Sequence, residues 1–125
     1  MPESQAGRLL DHVHLRVADL QASKRFYRAV LQAVGLDINA EGEGWFSADE
    51  LFVSSDGTPT QDLHFAFKAA DRETVERFHE AGILAGGRDN GGAGERNYHP
   101  GYYAAYVLDP DGNNVEAVYH GEGDH

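Results

Sequence analysis

The sequence reads HVHLRVADLQASKRFYRAVLQAVG at residues 12–35 and HFAFKAADRETVERFHEAGILAGG at residues 64–87. At this offset, eight of the 24 positions are identical. The identical pairs are His12/His64, Ala18/Ala70, Asp19/Asp71, Arg25/Arg77, Phe26/Phe78, Ala29/Ala81, Ala33/Ala85 and Gly35/Gly87. Two copies are too few for a solenoid, which needs three or more repeats. The sequence therefore predicts two copies of one supersecondary module.

Each copy begins with alternating polar and apolar side chains, which is typical of a half-buried strand. Asp19 and Asp71 then match the N-caps of two amphipathic helices. Further strands are predicted at residues 36–40, 44–47 and 51–54 and, after a flexible glycine-rich connection at 86–94, at 102–108 and 114–120. The predicted fold class is α+β, in a single domain over residues 1–125. Its two βαβββ modules, about 9–55 and 62–120, are related by pseudo-twofold symmetry and form a cupped mixed β-sheet.

Composition narrows the function classes. A net charge of −11 over 125 residues repels phosphate backbones and anionic lipid, so we expect neither a nucleic-acid nor a membrane partner. The stretch Met1–Gln5 is polar and acidic, which is unlike the start of a signal peptide. The sequence contains no cysteine, so any metal must be held by nitrogen and oxygen. These features predict a cytoplasmic protein.

The strands bring several chemically active side chains to one face of the predicted sheet. If the helices cover the odd-numbered faces of the opening strands, His12, Arg16, His64 and Lys68 point into the cup, where Glu116 of the last strand joins them. A single strand histidine is more often an ordinary polar residue than a ligand, but two at equivalent positions of a repeat favour a metal. Two imidazoles and one carboxylate suit Fe, Mn, Zn or Ni as a divalent ion with open positions. Arg16 and Lys68 either bind a substrate carboxylate or neutralise Glu116 or neighbouring acids.

These motifs resemble the vicinal oxygen chelate superfamily, which includes glyoxalase I, the extradiol dioxygenases and the bleomycin-resistance proteins. The likeness spans residues 9–120, and it is carried by Asp11–Val17, Leu63–Phe67 and Asp109–Glu116. It implies that the three predicted ligands fall on the superfamily's metal-ligand positions. It also implies a small-molecule substrate and a homodimer. Because this scaffold carries lyases, epimerases, dioxygenases and non-catalytic binders, the resemblance does not choose the reaction.

Departures from the family's patterns bear on that choice. Glyoxalase I generally supplies a fourth ligand, a Glu, where this sequence has Phe52 or Ser54, so the ligand set looks more like that of the extradiol dioxygenases. The segment from Asn97 to Glu116 nearly reproduces the dioxygenase signature, with a mismatch at Ala105. By that resemblance, His99 and Tyr106 are catalytic residues that contact the bound substrate and oxygen. The acid/base histidine of those enzymes has no counterpart here.

Two hypotheses of function follow. The first is a metal-dependent lyase, isomerase or dioxygenase that chelates vicinal oxygens of a small substrate, with Tyr102 at the mouth of the cup as a further substrate-binding residue. Alternatively, Tyr102 simply packs in a strand. The second hypothesis is a non-catalytic binder of the bleomycin-resistance type, for which the acidic charge suits a cationic drug.

Overall fold

The computed structural model describes residues 9–121, so the predictions made on Met1–Gln5 lie outside the described residues. The first module comprises β1 (Val13–Arg16), α1 (Leu20–Ala33), β2 (Ala40–Gly42), β3 (Trp45–Ala48) and β4 (Leu51–Ser54). The second comprises β5 (His64–Lys68), α2 (Arg72–Leu84), β6 (Arg88–Asp89), β7 (Gly94–Glu95), β8 (Tyr103–Leu108) and β9 (Asn114–Tyr119). The α+β class with two equivalent modules is confirmed. Neither helix in this part of the chain is long and apolar enough to cross a membrane.

The helices begin where the sequence predicts. The side chain of Asp19 accepts a hydrogen bond from the backbone N–H of Ala22 at 3.2 Å, and Asp71 accepts from Thr74 at 2.8 Å. Each bond satisfies an N–H group that has no partner within the helix. Both N-caps are therefore confirmed.

The two modules share one strand order. The first sheet runs β1-β4-β3-β2 and the second runs β5-β9-β8-β6, with β7 also beside β8. Within each module the opening strand pairs in parallel with the last one. The same topology in both halves confirms the internal repeat.

The glycine-rich segment differs from its prediction. Instead of a flexible connection, the segment contains two short strands, β6 and β7, and both are antiparallel to β8. The free edge of β8 supplies the bonds, because Asn90 donates to the carbonyl of Tyr106 and Tyr106 donates to that of Gly91. An open strand edge therefore orders a segment that has few side chains of its own to pack. In the first module, the pairing of Gly42 with Trp45 moves β2 to Ala40–Gly42, later than the predicted 36–40.

The core lies between the sheets and the two helices. It includes Phe26 and Tyr27 of α1, Phe78 of α2, Phe46 of β3 and Val115 of β9, all fully buried. The buried phenol of Tyr27 donates to Asp109, which lies in the turn before β9, at 2.6 Å. This bond fixes the first module against the turn that positions the last strand of the second.

The opening strands of the two modules leave a seam between them. At one end, Thr60 and Arg16 exchange two hydrogen bonds of 2.9 Å, but among the described residues no ladder joins β1 to β5. A cavity of about 410 Å³ opens further along, with Leu10 and Val13 among its lining on the β1 side and Phe65 among its lining on the β5 side. The predicted cup therefore consists of two sheets whose opening strands face each other unpaired.

Candidate functional site

The polar centre of the second module is Glu116. It lies on β9 between Ala66 of β5 and Tyr106 of β8, and only 2% of its surface is exposed. Its Oε1 is 2.7 Å from Nε2 of His64, and its Oε2 accepts a 2.5 Å hydrogen bond from the phenol of Tyr102. Two of the predicted ligands, His64 and Glu116, are thus in direct contact.

The charge of Glu116 has little compensation. Within residues 9–121 its one ion-pair partner is His64, and neither Arg16 nor Lys68 reaches it. A buried carboxylate without a cation is costly. A carboxylate beside an imidazole is a donor set that divalent first-row ions bind. The residues present at Glu116 therefore fit two positions of the predicted ligand set.

His12 stands apart from this pair. Its Nδ1 is 2.9 Å from Oδ1 of Asp11, and 69% of its side chain is exposed. Within the described part of the chain, no three His, Asp or Glu side chains converge closely enough to hold a metal ion. His12 is nevertheless flanked by Leu10 and Val13, which line one wall of the seam cavity, while His64 directly precedes Phe65 on the opposite wall. The two histidines therefore belong to strand ends on either side of the seam.

Two tyrosines flank the Glu116–His64 pair. The ring of Tyr106 lies 6.0 Å from that of His64, and the guanidinium of Arg96 lies 5.1 Å from the Tyr106 ring. Burial, together with the nearby charge of Glu116, raises the pKa of Tyr106 to about 12. Burial and the bond to Glu116 raise the pKa of Tyr102 above its ordinary value as well. Both phenols are neutral near pH 7, and that of Tyr102 donates its proton in the hydrogen bond to Glu116.

The cationic substrate-binding candidates lie elsewhere. Arg16 has its Nε 3.7 Å from Oδ1 of Asp56, and Lys68 is exposed at the seam cavity. Among the described residues neither cation pairs with Glu116, whereas Arg16 does pair with a neighbouring acid, Asp56. Their role toward a substrate stays a prediction.

His99 does not reach the Glu116–His64 pair directly. Its Nδ1 is 2.8 Å from the carbonyl oxygen of Pro100, and its Nε2 is 3.0 Å from Nδ1 of His120. Both ring nitrogens are therefore engaged within the protein. Tyr102 lies between this histidine pair and Glu116.

The structure also reveals a cluster that the sequence analysis did not identify. On the open face of the first sheet, Nε2 of His14 is 2.7 Å from Oγ of Ser54, which in turn donates to Asp56. That bond, with a smaller contribution from Arg16, lowers the pKa of Asp56. The ring of Phe52 stacks on Trp45 at 5.6 Å and meets the edge of His14 at 4.9 Å. The alternation of polar and apolar residues that placed His12 and Arg16 on one face of the opening strand also places His14 on that face. This pattern was the sequence signal that could have identified the cluster.

Comparisons with known proteins agree with this architecture. The family model of the Glyoxalase/Bleomycin resistance protein/Dioxygenase superfamily matches residues 9–117. A glyoxalase/bleomycin resistance protein from Albidiferax ferrireducens T118 superposes with a TM-score of 0.78 at 29% identity, over 89% of this chain and 98% of that one. A glyoxalase/bleomycin resistance protein/dioxygenase family enzyme from Burkholderia phytofirmans PsJN gives 0.70 at 19% identity, over 88% and 97% of the two chains.

A glyoxalase-related enzyme from Fulvimarina pelagi gives a TM-score of 0.68 at 20% identity, over 90% of this chain and 88% of that one. A comparison with curated proteins found no match. The family model covers most of the sequence, including His12, His64 and Glu116. The chain belongs to the glyoxalase/bleomycin resistance protein/dioxygenase superfamily.

Proposed function

We propose that the protein is a metal-dependent enzyme that chelates vicinal oxygens of a small substrate. The observation that carries the proposal is the buried Glu116 carboxylate, which contacts His64 and has no Lys or Arg partner in residues 9–121. A divalent ion beside these two side chains would supply the missing positive charge. Fe, Mn, Zn and Ni all accept imidazole and carboxylate ligands.

The residues divide into three roles. Glu116, His64 and His12 hold the ion, with His12 supplied either by this chain or by a second copy across the seam. When bound, the ion acts as a Lewis acid that stabilises negative charge on the substrate oxygens. Tyr106 donates a hydrogen bond to the substrate beside His64. Lys68, which lines the seam cavity, and Arg16, beside Thr60 at the other end of the seam, each offer a cation to an anionic group of the substrate.

Lyase or isomerase chemistry and extradiol-type dioxygenase chemistry share this chelation step. We test it with 4-nitrocatechol, a vicinal-oxygen compound whose visible absorption changes when it is chelated. We expect the metal-loaded protein to produce that change and the Glu116→Gln variant, treated identically, to produce none. If the metal-free protein or Glu116→Gln binds 4-nitrocatechol as tightly as the metal-loaded wild type does, the proposal is contradicted.

A second candidate function is non-catalytic binding of a flat ligand. It is favoured by the row of Trp45, Phe52 and His14 on the open face of the first sheet, because aromatic faces stack on flat ligands. Trp45 is the only tryptophan of the chain, so its fluorescence reports on this face. Quenching by 4-nitrocatechol without any metal-dependent colour change would support the binder.

We also propose that the protein is a cytoplasmic homodimer. The seam-facing edges of β1 and β5 have no strand partner among the described residues, and Leu9, Leu10 and Leu36 beside the seam are exposed. Open edges and exposed leucines are features that a second copy can cover. A sequence without cysteine is compatible with a reducing compartment.

A further inference from the structure

The ring of Tyr102 is enclosed by three other rings. It meets His99 at 5.3 Å and His120 at 5.2 Å, in both cases edge to face. Tyr98 approaches it at 4.8 Å. Its phenol oxygen is thereby directed at Oε2 of Glu116, 2.5 Å away.

The two histidines of this enclosure are fixed by a defined proton arrangement. The carbonyl of Pro100 can only accept a hydrogen bond, so Nδ1 of His99 carries a proton and donates to it. When the His99 ring is neutral, its Nε2 is an acceptor, and Nδ1 of His120 donates a hydrogen bond to it. The rings of the pair stack at 5.1 Å with an interplanar angle of 17°. Both rings are therefore held in one orientation against Tyr102.

The backbone supports the same contact. Gly101 and Gly121 have positive φ angles of 88° and 93°, a conformation that glycine adopts without strain. A Cβ atom on Gly101 would lie 2.8 Å from the carbonyl oxygen of His120. Close approach of these two segments therefore needs glycine, and it brings His99 and His120 within hydrogen-bonding distance.

We propose that Tyr102 is the positioning residue of the Glu116 carboxylate, and that the His99–His120 pair holds Tyr102 in place. This inference rests on the proposed function in one respect, that Glu116 binds a metal ion. It gives His99 a different role from the one implied by resemblance: His99 acts through Tyr102 and Glu116 and does not touch the substrate. The hydrogen bond from Tyr102 occupies Oε2 of Glu116. The other carboxylate oxygen, Oε1, faces His64 and would bind the ion.

The expected effect follows from the loss of that bond. Without the phenol, Oε2 of a buried carboxylate has no donor, and the carboxylate can rotate away from the orientation that ligation requires. Loss of an outer-shell partner of this kind costs about 10–100-fold in metal affinity. Loss of the histidine pair leaves the phenol present but its ring less constrained, so its effect is smaller.

The first test is a titration with Co²⁺, followed by visible absorption of the bound ion. We expect Tyr102→Phe to bind Co²⁺ about 10–100-fold more weakly than the wild type. Tyr103→Phe is the matched control, because Tyr103 also donates to a carboxylate, Glu76 of α2, at 2.8 Å. We expect Tyr103→Phe to bind like the wild type, and equal affinity in Tyr102→Phe and the wild type would overturn the assignment.

The histidine pair is tested by two substitutions at one position. His120→Ala removes the donor to His99, whereas His120→Asn places an amide N–H near the former Nδ1–H. We expect His120→Ala to weaken Co²⁺ binding and to alter its absorption spectrum, and His120→Asn to restore both. Wild-type affinity and spectrum in His120→Ala would show that the pair does not position Tyr102.

A metal-free measurement separates this inference from the proposed function. We expect Glu116→Gln to change the near-ultraviolet tyrosine spectrum of the metal-free protein, since the phenol of Tyr102 loses a charged acceptor. The same substitution in a Tyr102→Phe background should give a smaller change. A change of equal size in both backgrounds would overturn the hydrogen bond between Tyr102 and Glu116. Failure of the wild type to bind Co²⁺ would overturn only the proposal that Glu116 binds a metal ion.

Discussion

Glu116→Gln is expected to weaken the affinity of the protein for divalent metal by more than about 100-fold, because loss of an outer-shell partner alone costs about 10–100-fold. The substitution keeps the size of the side chain and an acceptor for Tyr102. It removes the negative charge, which is the property that attracts the ion. Isothermal titration of metal-free protein with Zn²⁺ measures the change directly.

The matched control for this variant is Glu76→Gln. Glu76 likewise accepts a hydrogen bond from a tyrosine, but it lies on α2, away from His64. We expect the control to bind Zn²⁺ like the wild type. Equal affinities for the wild type and Glu116→Gln would show that the carboxylate is not a ligand.

Asp109→Ala is expected to lower the free energy of unfolding by about 3–5 kcal/mol, because each buried polar group left without a partner costs about 1–3 kcal/mol. Asp109 is 1% exposed, and it accepts from the phenol of Tyr27 and from the backbone of Asp111 and Asn113. Removing the carboxylate leaves all three donors without this acceptor. Urea unfolding followed by circular dichroism gives the difference.

Tyr27→Phe separates the contribution of the bond between the modules. It removes the phenolic hydroxyl but leaves Asp109 bonded to the backbone of its own turn. We therefore expect a smaller decrease in the free energy of unfolding, about 1–2 kcal/mol. In the double variant the two losses should not add, because both remove the same bond. A loss below about 1 kcal/mol in Asp109→Ala would contradict the assigned role of this carboxylate.

The parts of the fold that were predictable are those encoded locally. Asp19 and Asp71 satisfy the N–H groups of their own helices, so a short window of sequence suffices to identify both N-caps. The repeat then implied that both modules share one strand order. The short strands β6 and β7 were not predictable in this way, because their hydrogen bonds come from β8, a strand that follows later in the chain.

In the candidate site, too, some contacts were predictable from the sequence and others were not. His64 and Glu116 lie on paired strands of one module, so alternation and register were enough to bring them together. The contact between His99 and His120 depends on the close approach of two glycines from separate segments, which residue spacing does not encode. His14 similarly depends on Ser54, forty residues away. The position of His12 relative to His64 depends on how β1 and β5 meet at the seam. Because no hydrogen-bonded ladder joins these strands among the described residues, strand register could not predict that position.

The metal content of protein purified without chelator tests the central claim most directly. Mass-spectrometric elemental analysis should find close to one equivalent of Fe, Mn, Zn or Ni in the wild type. It should find the same in His79→Ala, a control histidine on α2 that pairs with Asp89. In the His12→Ala/His64→Ala double variant the metal should be lost. A wild type that stays metal-free even after reconstitution, or a double variant that retains the full equivalent, would contradict a metal centre built on these residues.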